Sequence, residues 1–600
     1  MSLVTAKEIA KIIKLDKFGL IGTFSGWLLL KTLRISQLNY IYEKHKDKED
    51  IEFLNAILNE VKIKFEIPKE DLERIPEKGA FITISNHPLG GIDGILLLKL
   101  LLEKRSDYKI IANFLLHRIK PLKKYVMPVN PFEERKEAKS SIIGIKNALI
   151  HLKNGNPLGI FPSGEVSTFK DGKLVVDKPW EEGAIKIIKK AKVPIIPIYF
   201  HAKNSKLFYL LSGISDTLRT AKLPSELLNQ KNRIIKVRIG KPITIKEQES
   251  FTVLDDFHNY LRKKTYILAN PFEKDTSYIN TSNFKLNKSP KNVISPISSK
   301  LIEKEIAILN NNNSLLFRSK NYKIYLADSK DIKNSLLEIG RLRELTFREI
   351  GEGTNKALDL DKYDEYYKHL FLWDNINNKI VGAYRMGLGT EIFKIYGVEG
   401  FYINELFKIE PELFTMMGST IEMGRAFIIQ EYQQKPMPLF LLWKGIVHVT
   451  IRYPEHKYLM GGVSISNKFS NFSKSLMIEF MKSHYYDPFV AQYVHPKKEY
   501  KVKLKDADKD FVFDNTKADM NKFDKIIDEI EPGSLRLPVL LKKYVKQNAK
   551  LVAFNVDPKF NNAVDGLMYM RIADLPEGTV KPVMEEFQAE LEQRVNSRKQ

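Results

Sequence analysis

Cysteine is absent from the 600 residues. That excludes disulfides, thiolate metal sites and cysteine nucleophiles, and it fits a reducing compartment. Long apolar runs are missing as well. A spanning helix needs about 20 apolar residues, and the nearest candidate, "FGLIGTFSGWLLL" over 18–30, is too short. It sits too far into the chain, and lacks a small-residue cleavage site, for a secretory signal. Lys14, Lys17, Lys31 and Arg34 flank it. Two readings of it stand side by side: an in-plane interfacial helix with Trp27 at headgroup depth, and a helix buried on the first domain. Zinc-finger spacing, RNP-type aromatic motifs and a basic recognition helix are also lacking, so nucleic acid is not an expected partner.

What is present is positive charge. Lysine and arginine number 96 against 73 aspartates and glutamates, a formal balance of +23. An anionic membrane face or an acidic protein suits that balance, although a lysine-rich solvated surface gives the same count. The apolar fraction of 43% is enough to bury real cores. Six hundred residues exceed one ordinary core, so at least two domains are expected.

From 80 to about 245, apolar strands alternate with helical stretches. "AFITIS" (80–85), "YKIIANF" (108–114), "PLGIFP" (157–162) and "VPIIPIYF" (193–200) read as strands. "SSIIGIKNALIHLKNG" (140–155) and "EEGAIKIIKKAK" (181–192) read as helices. The alternation predicts an α/β layer on a largely parallel sheet. Residues 271–300, rich in Asn, Ser, Lys and Pro, read as a linker. The expected domains are therefore 1–270 and 301–600, both α/β, and no internal repeat is visible.

The stretch "ITISNHPLGGIDGILLL" (82–98) places His87 and Asp93 on either side of a Gly-Gly turn, ahead of an apolar helix. An unperturbed imidazole titrates near ~6.5, so it can take a proton near neutrality. A turn folded back on itself brings the carboxylate to the ring, fixes its tautomer and stabilises the imidazolium. A hydroxyl on the other ring nitrogen then becomes a nucleophile. A histidine capping a turn and an aspartate capping a helix produce the same spacing.

Four segments in order decide between these readings. "NHPLGGIDG", "NPFEERKEAKSS" (130–141), "FPSGEVS" (161–167) and "VPIIPIYF" resemble the four blocks of the glycerolipid acyltransferases of the lysophosphatidic acid acyltransferase type. The resemblance implies His87 and Asp93 as the catalytic dyad. It implies Asn86, Arg135, Ser163, Gly164 and Glu165 as acceptor-binding positions. Two departures stand out. The dyad spacing is His-x5-Asp, one residue longer than the family's. In the third block Ser163, Glu165 and Val166 replace the family's Glu, Thr and Arg. An arginine is the natural phosphate fork. Its loss, with a carboxylate gained, predicts an acceptor that lacks phosphate and carries an amine.

The second half contains Arg343 and Phe347 on a helical stretch, then Asp359, Asp361, Tyr363 and Asp364. "KIVGAYRMG" (379–387) follows with Arg385, and "IEMGRAFI" (421–428) with Glu422 and Arg425. This order resembles the acyl-homoserine-lactone synthases and the ornithine-lipid N-acyltransferases, both on the GNAT fold. Segments as late as "DPKFNNAVDGLMYM" (557–570) extend the likeness on the ornithine-lipid side. By that resemblance Glu422 is the first candidate for the base that deprotonates an amino-acid amine. Asp359, Asp361, Asp364, Arg385 and Arg425 either bind the amino acid or hold the acidic loop in place. The usual GNAT pyrophosphate loop is not evident after Phe427, which argues against coenzyme A as donor. Acyl carrier protein, acidic and carrying a single phosphate on its arm, suits a basic chain.

Together the halves resemble the bifunctional ornithine lipid synthases. The resemblance implies N-acylation of ornithine with a 3-hydroxyacyl chain, followed by O-acylation of the new hydroxyl. Glycine, serine or lysine in place of ornithine keeps the chemistry. A glycerophospholipid acyltransferase with an accessory domain, or a non-enzymatic hemolysin-like membrane protein, are the other readings. No metal and no resident cofactor is expected. The expected place is peripheral, on the cytoplasmic face of the inner membrane, with an anionic lipid surface and acyl carrier protein as partners.

Overall fold

Short runs of Ile, Val and Leu bounded by Gly, Pro and Asn become strands, because β-branched side chains pack on a pleated surface. The computed structural model describes residues 5–6, 17, 19–32, 34–112, 114–128, 138–170, 174–214, 216–272, 291–504, 518–531 and 535–597. The chain divides into two compact units. One comprises Met1–Lys274 and Asp528–Leu535, the other Asp275–Ile527 and Arg536–Gln600. The linker expected over 271–300 lies largely outside the described residues. Its last residues open a helix over Ser299–Leu309.

The first unit is built on a 7-stranded sheet. Its strands are β1 (Lys64–Glu66), β2 (Ile82–Ser85), β3 (Lys109–Ala112), β4 (Val126–Pro128), β5 (Leu158–Ile160), β8 (Ile195–His201) and β9 (Ile234–Ile239). A separate hairpin pairs β6 (Thr168–Lys170) with β7 (Leu174–Val176). The order across the sheet is β1-β9-β8-β2-β5-β3-β4. All neighbours are parallel except β8 and β9. Every residue of β2 is buried, as expected of a central parallel strand covered on both faces. One face packs on helix α2 (Gly91–Leu102) and on the helices over 35–45 and 50–60. The other packs on helices over 138–153, 182–191 and 254–266. Before the sheet comes α1 (Gly19–Thr32), which leaves Phe24, Trp27 and Leu28 exposed. Among the described residues no helix is long and apolar enough to cross a membrane.

The second unit carries an 8-stranded sheet in the order β10-β11-β12-β13-β15-β16-β19-β18. The strands are β10 (Leu315–Ser319), β11 (Tyr322–Ala327), β12 (Lys368–Asp374), β13 (Lys379–Leu388), β15 (Thr420–Ile428), β16 (Tyr458–Ile465), β18 (Lys550–Asp557) and β19 (Ala563–Arg571). A small pair joins β14 (Phe407–Ile409) to β17 (Val494–Pro496). Only the central neighbours β15 and β16 run parallel. Their pairing covers Thr420–Met423 against Tyr458–Gly461, and beyond it both strands continue without pairing to each other. The opening follows from Arg425, whose φ of 52° bends β15 just past Gly424. Two helices named below are α4 (Lys333–Ile350) and α5 (Pro436–Arg452).

Candidate active sites

In the first unit β2 ends at Ser85, and the chain must turn sharply to enter α2. Gly90 makes this possible with a φ of +80°, which L side chains rarely adopt. It is also pressed by Leu223, so a Cβ there would lie 2.8 Å from the Leu223 Cδ1. The turn brings His87 Nδ1 to 3.1 Å from Asp93 Oδ2. The same oxygen accepts the backbone N–H groups of Leu89, at 2.8 Å, and Gly90, at 3.0 Å. Asp93 is fully buried, and that burial raises its carboxyl pKa against the opposing hydrogen bond from His87. With Nδ1 turned to the carboxylate, Nε2 is the ring nitrogen left to serve a substrate.

His87 is one wall of an apolar cavity of about 570 Å³. Gly91, Ile92, Gly94 and Ile95 from the first turns of α2 line it, while Leu96–Leu98 and Leu100–Leu102 belong to the core. The apolar helix behind Asp93 therefore divides its work between groove and core. Ser163, Gly164 and Glu165 also line the cavity. Ser163 Oγ donates to the Glu165 carbonyl at 2.8 Å, and Gly164 has a φ of 62°, so the two shape the turn that presents Glu165. Asn86 does not line the cavity. Its amide is used at both ends by the backbone of Phe200, at 3.0 and 2.7 Å, closing β2 onto β8. Arg135 lies outside the described residues.

Glu165 does not offer a free carboxylate for an amine. Its Oε2 accepts from Lys178 Nζ and from Arg219 Nη2, each at 2.6 Å. Those two cations outweigh the cost of partial burial and hold its pKa below the ordinary value. Val166, at the position of the family's arginine, faces Phe208, Tyr209, Val175 and Leu223 in a small apolar cluster. Arginine placed there would be buried among them.

Sequence reasoning missed Asp177. Its Oδ1 accepts the His87 backbone N–H at 3.1 Å and the Ser167 hydroxyl at 2.5 Å, and its Oδ2 accepts the Trp180 indole at 3.1 Å. Ser167 N in turn donates to His87 O at 2.9 Å. The histidine backbone is thus clamped from both sides by residues far along the chain. The "VVDKPW" segment carries the only sequence hint, an aspartate directly after an apolar strand.

In the second unit the acidic loop and three arginines bind one another. Arg343, on α4, reaches Asp359 at 3.1 Å and Asp364 at 2.8 Å. Arg385, on β13, reaches Asp361 at 2.6 Å and Asp364 at 3.2 Å. Arg425 reaches Asp359 at 3.3 Å and Asp361 at 3.2 Å. The charges of Arg343 and Arg385 overcome burial and hold Asp364 well below the usual carboxylate range. Tyrosines 363, 367 and 402 pack their rings within 5.5 Å of the Arg385 guanidinium, and Tyr402 and Phe560 face Arg425. Of the two roles open from sequence, the geometry favours holding the loop.

Glu422 is buried, with 1% of its surface exposed, and its oxygens are occupied. Oε2 accepts from the Tyr367 hydroxyl at 2.5 Å and from Tyr402 N at 3.0 Å, and Oε1 accepts from Ile403 N at 3.1 Å. Burial raises its pKa against those donors and the charge of Arg385. Two other carboxyls are differently placed. Asp565, on β19, accepts the Ser464 hydroxyl at 2.5 Å, and burial with the Asp557 charge pushes it up to about 7. Glu352, just past α4, donates its backbone N–H to Phe347 O at 2.7 Å, while its carboxyl makes no hydrogen bond or ion pair among the described residues. Burial, then the charge of Asp565, pushes it up to about 8, with Lys468 opposing. The end of α4 is tied to this place by Ser466, whose hydroxyl donates to Ile350 O at 2.7 Å. Nothing in the spacing around Glu352 marked it, beyond an acid following a glycine.

Comparison with known proteins bears on both units. The acyltransferase family matches residues 13–275, and the acetyltransferase (GNAT) domain family matches residues 342–443. A glycine N(alpha)-acyltransferase of Phocaeicola vulgatus is 29% identical over 277 residues, covering 44% of this chain and 82% of that protein. A lyso-glycine lipid O-acyltransferase of Bacteroides thetaiotaomicron is 28% identical over 223 residues, covering 36% of this chain and 79% of that protein. The chain is an acyltransferase of mixed α/β structure, with an acyltransferase domain first and a GNAT domain after it.

Proposed function

We propose that this acyltransferase makes an aminolipid in two steps, an amide in the GNAT domain and then an ester in the first domain. The observation that carries the reading is the His87–Asp93 contact on the wall of an apolar cavity, in a chain that also holds a GNAT domain. In the ester step His87 Nε2 takes the proton of the 3-hydroxyl group on the N-acyl amino acid. The oxygen attacks the thioester carbonyl, the C–S bond breaks, and the thiolate leaves with the proton from the imidazolium. Asp93 holds the ring and stabilises its charge. In the amide step the amine attacks a second thioester, the C–S bond breaks, and the thiol leaves. Glu352 and Asp565, raised towards neutrality, suit the uptake of the amine's proton. Glu422 braces the Tyr402 loop.

Two amino acids have support. The motif order favours ornithine, and the names of the two relatives favour glycine. The donor in both steps is acyl carrier protein. The balance of +23 supports an acidic partner, and the unpaired strand edges beyond Met423 and Gly461 suit an extended amide-bearing arm. The enzyme works peripherally at the cytoplasmic face of the inner membrane. Exposed Phe24, Trp27 and Leu28 on α1, with Lys31 Nζ 4.9 Å from the Trp27 ring, support an in-plane contact with anionic lipid.

The test is expression in a host without aminolipids, fed isotopically labelled glycine or ornithine, with lipid mass spectrometry. A labelled lipid carrying one amide-linked and one ester-linked chain is expected. Absence of any amino-acid-containing lipid overturns the reading.

A further inference from the structure

The cation that the third sequence block lacks is supplied to the cavity from elsewhere in the fold. Helix α3 (Asp216–Asn229) lays Arg219, Leu223, Pro224 and Leu227 along the cavity wall. The spacing of 219, 223 and 227 puts these three on one helical face. Leu223 is the residue pressed against Gly90 in the histidine turn. Arg219 stands one helical turn from it, about 6 Å along the axis. Its side chain is only 8% exposed. Glu165 binds Arg219 and Lys178 through the same oxygen, Oε2, which fixes the guanidinium beside the loop of the third block. Glu181, a second carboxylate among the described lining residues, is exposed.

We propose that Arg219, held by Glu165, receives the α-carboxylate of the N-acylated amino acid while His87 engages its 3-hydroxyl group. This deepens the reading of the first domain as an O-acyltransferase of N-acyl amino acids and rests on it. The acceptor has lost its α-amine charge to the amide but retains its carboxylate, whichever amino acid was used. Six bonds separate the hydroxyl oxygen from the carboxylate carbon, roughly 7 Å when extended. His87 and Arg219 line the same cavity, so one acceptor can meet both groups. A guanidinium fork takes a carboxylate in two parallel hydrogen bonds, which fixes orientation as well as binding. The replacement of the family's arginine by Val166 is then a relocation of the anion site from the loop to α3, not its loss.

The experiment uses the full-length enzyme with an acyl thioester donor and three acceptors: N-(3-hydroxypalmitoyl)glycine, its methyl ester, and a lysophosphatidate. The wild type is expected to use the acid with a KM roughly tenfold or more below that of the ester, because a charge-assisted pair is replaced by a neutral group. In Arg219→Gln the acid-to-ester ratio is expected to fall to about one, and in Arg219→Lys to stay intermediate. A merely structural role for Arg219 would lower both acceptors together and keep their ratio. An unchanged ratio in Arg219→Gln overturns the proposal, and so does equal use of acid and ester by the wild type. The second result needs no variant to fold. Better use of the lysophosphatidate than of the acid assigns the cation to a phosphate and also overturns it. Failure of the wild type to acylate either N-acyl acceptor instead strikes the broader reading of the domain.

Discussion

In the first domain one imidazole leans on one carboxylate, and beside them lies an apolar cavity of about 570 Å³. In the second, Arg343, Arg385 and Arg425 are laced to Asp359, Asp361 and Asp364, with tyrosine rings packed around them. Both domains transfer acyl groups, yet charge is used in opposite ways. The dyad leaves a reactive nitrogen uncommitted, at little cost to the fold. The network commits its charges to each other, and so fixes a loop at the expense of freedom to react. A buried ion pair adds little net stability, but losing one partner costs much, because the other stays buried and uncompensated.

The largest effect expected is on chemistry alone. His87→Ala removes the proposed general base, and ester formation should fall on the order of 10²–10⁴-fold. Lyso-lipid then accumulates in cells while amide formation continues. Thermal unfolding of the purified variant should stay close to wild type. A large loss of stability with His87→Ala would erase the contrast between the two sites. Arg343→Ala is the mirror experiment. It takes one of two arginine partners from each of Asp359 and Asp364, which keep Arg425 and Arg385, and a loss of about 3 kcal/mol in denaturant unfolding is expected. Amide formation goes with it. Lost activity with unchanged stability would instead place Arg343 against the substrate.

The first pair was legible because it is local. His87 and Asp93 are separated by a turn, and the four-block resemblance chose their contact over two separate caps. The alternating pattern that gave the parallel sheet was equally local. What the sequence hid were partners from distant segments. Arg219 meets Glu165 across 54 positions, and Asp177 meets His87 across 90. Substitutions in one block can be noticed in sequence, but the relocated cation that compensates them becomes visible only when α3 is folded onto the cavity. Glu422 is the reverse case. Its motif marks it as a base, and the fold adds what the motif does not show, three hydrogen-bond donors from residues 367, 402 and 403. Glu352 carried no motif, and its carboxyl has no hydrogen-bond partner among the described residues.

That difference between an occupied and an unoccupied acid gives a smaller, pH-dependent effect. Glu352 has a folded-state pKa of about 8, above its ordinary value. The folded protein holds its proton where the unfolded chain has released it, so stability falls as pH rises from about 4.5 to 8. Glu352→Gln removes this fall. The variant should match wild type near pH 5 and exceed it by about 4 kcal/mol near pH 8.5 in urea unfolding. A gap that does not widen with pH would mean that Glu352 is charged in the folded state. Amide formation by the variant should also fall, most clearly towards pH 8 and above, where the wild-type carboxyl is ionised and can take the amine's proton.

Tyr367→Phe is the mildest change, and it separates the roles of the two glutamates. The hydroxyl donates to Glu422 at 2.5 Å, and losing a hydrogen bond to a charged group costs about 1.5 kcal/mol of stability. The same loss removes a donor that favours the ionised carboxylate, so the Glu422 pKa must rise. If Glu422 were the base for the amine, the acid limb of the amide-step rate profile would move to higher pH along with it. If Glu422 only braces the Tyr402 loop, the limb stays where it is and the variant is slightly less stable. We expect the second outcome, because two backbone N–H groups still bind the carboxylate after the substitution and keep the loop seated. An upward-shifted acid limb would return Glu422 to the chemistry and move Glu352 into a supporting part.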